Sequence, residues 1–171
     1  MRIRYATVIF VVLTVASAAF AKELKIGYIH SQRILSEFQE SAEAQRTLDD
    51  EQREWLKQAK QMEDEISAME KELENQSLLL SEEKKAERLQ EIQKKYLDYQ
   101  QFQQEIWGEQ GKLYQRNKEL TQPIIDKVNQ VIQKIGEDLD YDIIFDAAVG
   151  NIVYAKDDYD LTDMVLEDLN E

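Results

Sequence analysis

Cysteine is absent from this 171-residue chain. Its absence excludes a disulfide framework and a lipid-modified cysteine, and it is compatible with an oxidising compartment entered without disulfides. Histidine occurs once, at His30. With no second histidine or cysteine, a metal or acid–base role for His30 lacks partners, and it reads as a polar residue at a strand end. Proline occurs once, at Pro123, so long helices can run almost uninterrupted. No nucleophile elbow, phosphate-binding loop or dinucleotide fingerprint is present. The readings are therefore no enzyme, no cofactor and no metal site. Excess basic charge is lacking too: 21 lysines and arginines face 35 aspartates and glutamates, a net of −14. A nucleic-acid binder needs a basic face of a size this chain does not offer.

What the chain does have begins with a leader pattern over residues 1–21. Arg2 and Arg4 form a positive start, an apolar stretch follows, and Ala19-Phe20-Ala21 matches a cleavage site. The stretch is short for a membrane span of ~20 residues, so the expected mature chain starts at Lys22, with no stable membrane insertion. Without Arg2 and Arg4 the charge is 19 basic against 35 acidic, a net of −16. It is uneven: residues 22–80 carry −6, residues 81–135 carry +1 and residues 136–171 carry −11.

The strongest pattern is a pair of heptad runs. Leu48, Gln52, Trp55, Ala59, Met62, Ile66, Met69 and Leu73 alternate by four and three. Leu89, Ile92, Tyr96, Tyr99, Gln103, Ile106, Gln110, Leu113, Asn117, Leu120 and Ile124 alternate by three and four. These are the seam positions of a coiled coil. The break at residues 75–81 is short, so the helices must fold back as an antiparallel hairpin. Ser81 before Glu82 and Glu83 caps the returning helix. Pro123 kinks or restarts that helix, and Gly136 stops it.

The ends read differently. Residues 24–29 alternate as a strand, and Ser31 or Ser36 caps the helix that follows. Residues 141–146 and 151–155 flank Gly150 as strand, turn and strand, and Asp160 caps a last short helix. The fold class is α+β, mostly α: a long antiparallel coiled-coil hairpin projecting from a small β-containing trimerisation body. The leader is 1–21, the body 22–38 plus 121–171, and the arm 39–120. So small a core is marginal alone and completes itself by oligomerising.

This layout resembles the Skp/OmpH periplasmic chaperones. The resemblance lies chiefly in Tyr141-Asp142-Ile143-Ile144-Phe145-Asp146, Asn151-Ile152-Val153-Tyr154 and Asp160-Leu161-Thr162-Asp163-Met164-Val165-Leu166, together with the leader, the first strand and the hairpin. It implies a homotrimer whose strands form a shared barrel and whose arms enclose a cavity for unfolded outer-membrane proteins, held without ATP in the periplasm. Well-studied members are basic and bind lipopolysaccharide through cationic arms. This chain is acidic, so lipopolysaccharide binding does not carry over. The alternative function is a structural coiled-coil spacer of the cell envelope.

Candidate residues follow. Ile26, Tyr28, Ile143, Phe145, Ile152 and Tyr154 are the candidates for the trimer body. Leu78, Leu79, Leu97, Phe102, Trp107 and Tyr114 are apolar and off the seam, and they are the candidates for client binding. They either cover the seam or line a discontinuous greasy surface, and Leu78, Leu79 and Leu97 favour the lining because seam packing does not need them. Gly108 and Gly111, beside the polar seam positions Gln103, Gln110 and Asn117, are the arm-hinge candidates. Each glycine costs ~1 kcal/mol in a helix, so replacing both by alanine is expected to stiffen and stabilise the arm. The basic stretch at Lys84, Lys85, Arg88, Lys94 and Lys95 is interleaved with acids at helical spacing and reads as ordinary pairing. Asp157, Asp158, Asp160 and Asp163 lack the glycine and glutamate of a calcium loop and read as a solvated turn with a helix cap.

Overall fold

The computed structural model describes residues 23–170. The leader over residues 1–21 lies outside the described residues. Strand β1, Ile26–Ile29, pairs in parallel with β2, Ile143–Asp146, with Tyr28 opposite Phe145. Parallel neighbours need a long crossover, and the whole arm is that crossover. Gly27 permits the close packing of β1: a Cβ there would lie 2.6 Å from the Leu161 side chain and 3.2 Å from the Tyr141 ring. On its other side, among the described residues, β1 makes a single bridge, Tyr28 to Asp160.

The expected third strand does not form. Among the described residues, 151–155 have no ladder partner, although Gly150 makes the expected turn at φ 75°. A strand is stable only against a neighbouring edge. The β2 edge of β1 is used, and the opposite side is held at Asp160.

Helix α1, Ser31–Glu37, and helix α2, Gln39–Gln76, meet at Phe38, whose extended backbone turns the chain. Phe38 is buried at 2 % exposure and carries Lys127 over its ring at 5.0 Å. Neither Ser31 nor Ser36 caps a helix. Ser31 is the first helical residue and donates its hydroxyl to Asp146 at 2.6 Å, while Ser36 donates to the Arg33 carbonyl.

The returning helix is two helices. Helix α3, Glu82–Trp107, is capped by Ser81, which accepts from the Lys84 N–H as its sequence implies. Helix α4 runs Lys112–Asp138, with Pro123 inside it. The restart therefore lies at Lys112, beyond the two glycines, and not at Pro123. Gly136 does not stop α4. The helix closes two residues later in a Schellman arrangement: Tyr141 N–H reaches the Gly136 carbonyl at 2.9 Å and Asp140 takes the left-handed position at φ 57°. Asp tolerates that region better than most side chains, and this let the stop sit at a residue other than glycine.

The last helix, α5, spans Thr162–Asn170. It joins Ile29, Ile34, Phe38, Ile124, Val128 and Ile135 to Leu161, Val165, Leu166 and Leu169 in one core. Asp160 accepts from the Thr162 N–H and hydroxyl at the start of this helix.

Candidate functional site

Helix α2 has 38 residues, a length of about 57 Å at 1.5 Å per residue, and only its first turns, around Glu40 and Ala44, pack on the body. Its eight seam positions are all buried or half-buried. Its outer part packs on α3 and its inner part on α4, where Arg116 pairs with Glu51 at 2.9 Å.

The α3 seam departs from the continuous register. Ile92, Tyr99 and Ile106 face α2 as expected, but the alternate inward positions are Lys95 and Phe102. Leu89, Tyr96 and Gln103 are exposed. Lys95 reaches Glu65 on α2 at 2.9 Å. Burying the Phe102 ring gains more than burying the Gln103 amide. The irregular backbone at residues 108–111 lets α3 rotate independently of α4 and take that gain.

Gly108 and Gly111 bound this break. The Gly108 N–H closes α3 on the Gln104 carbonyl, and the Gly111 N–H bonds the Gly108 carbonyl. Gly111 is buried, and a Cβ on it would lie 2.5 Å from the Ile106 carbonyl oxygen. On Gly108 it would lie 2.3 Å from that of Gln104. A Cβ at either site has to displace backbone, which argues against the expectation that alanine stabilises them. That expectation treated them as helix-interior glycines, and they sit in a tight connection without room for a side chain.

Phe102 and Trp107, both half-buried, meet edge to face across the end of α3, with centroids 6.0 Å apart. Trp107, Gly108, Leu113 and Tyr114 face Gln45 and Leu48 of α2 around an open hollow of ≈ 440 Å³. At the far end of the arm, Leu78 and Leu79 are 97 % and 87 % exposed. They sit in an uncharged apex between Glu74 and Glu82. Leu97 and Tyr114 are also exposed. The structure thus separates the six candidates: two at the apex, Leu97 on the open face of α3, and three around the break. Leu56, Leu89 and Tyr96 are further exposed apolar residues of the arm. Leu89 and Tyr96 were hidden by their seam spacing, and only the rotation of α3 exposes them.

In the body, Ile26, Ile143 and Phe145 are exposed, Ile152 is half-buried and Tyr28 is buried. Tyr154 is 83 % exposed and Val153 99 %. The outer face of the sheet and the 149–156 segment border an open concavity of ≈ 860 Å³ that includes Leu24, Ile26, Tyr28, Phe145, Ile152 and Tyr154. Asp146 anchors its rim. Burial pushes its carboxyl up, but hydrogen bonds from the Ser31 hydroxyl and from the N–H groups of Ala148 and Ser31 outweigh that and hold it below the usual aspartate value. Burial, then Asp160 and Asp157, push the Tyr28 phenol up.

His30 stands edge-on to Tyr28 at 5.6 Å. Asp163 pairs with Arg33 at 2.7 Å, and Asp160 serves the start of α5, so two of the four clustered aspartates have structural partners. In the basic stretch Lys84 pairs with Glu87, Lys85 with Glu82 and Arg88 with Glu91. Among the described residues no three acids or histidines gather as a metal site, and no helix is long and apolar enough to cross a membrane.

A family model described as outer membrane protein (OmpH-like) matches residues 25–169. No curated protein matches the chain. Among solved structures, the chain is similar to a crystal structure from Caulobacter crescentus CB15 described as an outer membrane chaperone (OmpH-like). The identity is 14 %, covering 86 % of this chain and 85 % of that one, with a TM-score of 0.77.

Proposed function

The chain belongs to the OmpH-like outer membrane protein family, and from that premise we propose that it is an ATP-independent periplasmic holdase for unfolded outer-membrane proteins. One observation carries the reading: a long arm leaves apolar side chains exposed along its length and at its apex, with Leu78 97 % and Leu79 87 % exposed. A folded partner would be met by one contiguous patch. Scattered apolar contacts suit a chain with no fixed shape.

The assembly proposed is a homotrimer joined through the body. The uncovered outer face of the sheet and the exposed Val153 and Tyr154 support it, because an apolar segment with unused backbone groups pairs with a neighbouring edge. Three arms would then enclose the client. A rigid envelope spacer is less well supported, since a spacer needs a continuous seam and this arm breaks at Gly108–Gly111.

The direct test mixes the mature protein with a urea-denatured outer-membrane β-barrel protein and follows aggregation by light scattering, without nucleotide. The account expects suppression at a fixed protomer ratio. Undiminished aggregation would refute the holdase reading.

A further inference from the structure

Between Ala86 and Gln104, helix α3 sorts its surface by charge. Leu89, Gln93, Tyr96, Leu97, Gln100 and Gln104 are all exposed, and at about 100° per residue they share one sector about 100° wide. The charged residues of the same stretch are Glu87, Arg88, Glu91, Lys94, Lys95 and Asp98. They fall in the opposing sector, about 120° wide on the same count. Charged residues make up 33 % of the chain, yet this ridge carries none for about five turns. It is not the seam, because Ile92 and Ile106 turn the buried side of α3 toward α2.

The ridge is about 27 Å long and one helix wide, roughly 10 Å. Its footprint of roughly 300 Å² is far below the ~800 Å² per partner of a stable folded interface. A folded protein or the arm of a second copy is therefore a poor occupant. An extended segment of about eight residues spans the same length at ~3.3 Å per residue. Such a segment carries unpaired backbone donors and acceptors, and a glutamine amide offers both. Its apolar side chains cover Leu89 and Leu97, and no residue of the ridge is itself charged; the carboxylate at its border, Glu70 of α2, already accepts the Tyr96 hydroxyl at 3.2 Å.

We propose that the neutral ridge of α3 is a docking strip for extended, weakly charged segments of unfolded polypeptide. This rests on the holdase reading and names the surface that makes the contact. Each contact is weak, and a long client gains by making several at once.

The test uses the full mature protein and a fluorophore-labelled, urea-denatured outer-membrane β-barrel protein as probe. One variant combines Gln93→Glu and Gln100→Glu. The control combines Gln58→Glu and Gln61→Glu at exposed positions of α2. Both add the same charge, and glutamate matches glutamine as a helix former. The ridge variant is expected to bind roughly tenfold more weakly or worse, from burying charge against the client, while the control binds as the parent does. Equal affinity of the two variants would overturn the ridge and leave the holdase reading standing. Failure of the parent protein to bind would remove both. Gln93→Cys in this cysteine-free chain supplies a second readout. Efficient disulfide linkage between protomers without client would assign the ridge to a second copy and overturn the proposal.

Discussion

At Gly111 the backbone passes so close to the end of α3 that a methyl group would sit 2.5 Å from the Ile106 carbonyl oxygen. Alanine normally improves a helical glycine by ~1 kcal/mol. Here it must push backbone aside, and overpacking of that kind costs about 1–3 kcal/mol. Gly111→Ala is therefore expected to lower the urea midpoint, and Gly108→Ala to do the same. A raised midpoint for either would show that these residues belong to a continuous helix. The sequence carried the location of this weak point, in two glycines among polar seam positions, but not its nature. Whether a glycine sits inside a helix or between two depends on which helix ends close there. Asp140 is the converse: no local signal marks an aspartate for the left-handed position that Gly136 was expected to supply.

Among the elements, α2 was the most legible. Its heptad spacing reads one partner face from Leu48 to Leu73, and every seam position there is buried or half-buried. Helix α3 was less so, because the spacing pattern assumes a rigid phase through residues 108–111. Once that phase is broken, packing chooses the inward side, and Phe102 displaces Gln103. The 151–155 segment shows a different limit. Its β-branched and aromatic residues advertise a strand, but propensity does not say whose edge completes it. If that edge belongs to a neighbour, the body alone should set the oligomer. Deleting residues 45–113, which joins α2 to α4 across the hollow they share, should leave a trimer by light scattering. A monomer would place assembly in the arms.

Taken whole, the molecule is charged unevenly, with −11 in residues 136–171 and +1 in residues 81–135. The basic residues near the apex are paired within their own helix, so little free positive field remains to draw in an acidic client. For the holdase proposed above, affinity then has to come from apolar burial, worth ~25 cal/mol per Å². Salt screens charge over a Debye length of ~10 Å at 0.1 M and leaves burial intact. The deciding measurement is the dissociation constant for a denatured acidic outer-membrane protein, titrated from about 50 mM to about 500 mM salt. Burial predicts an affinity that holds or rises as repulsion is screened, whereas a steep loss of affinity across that range would show that charge, and not apolar contact, holds the client.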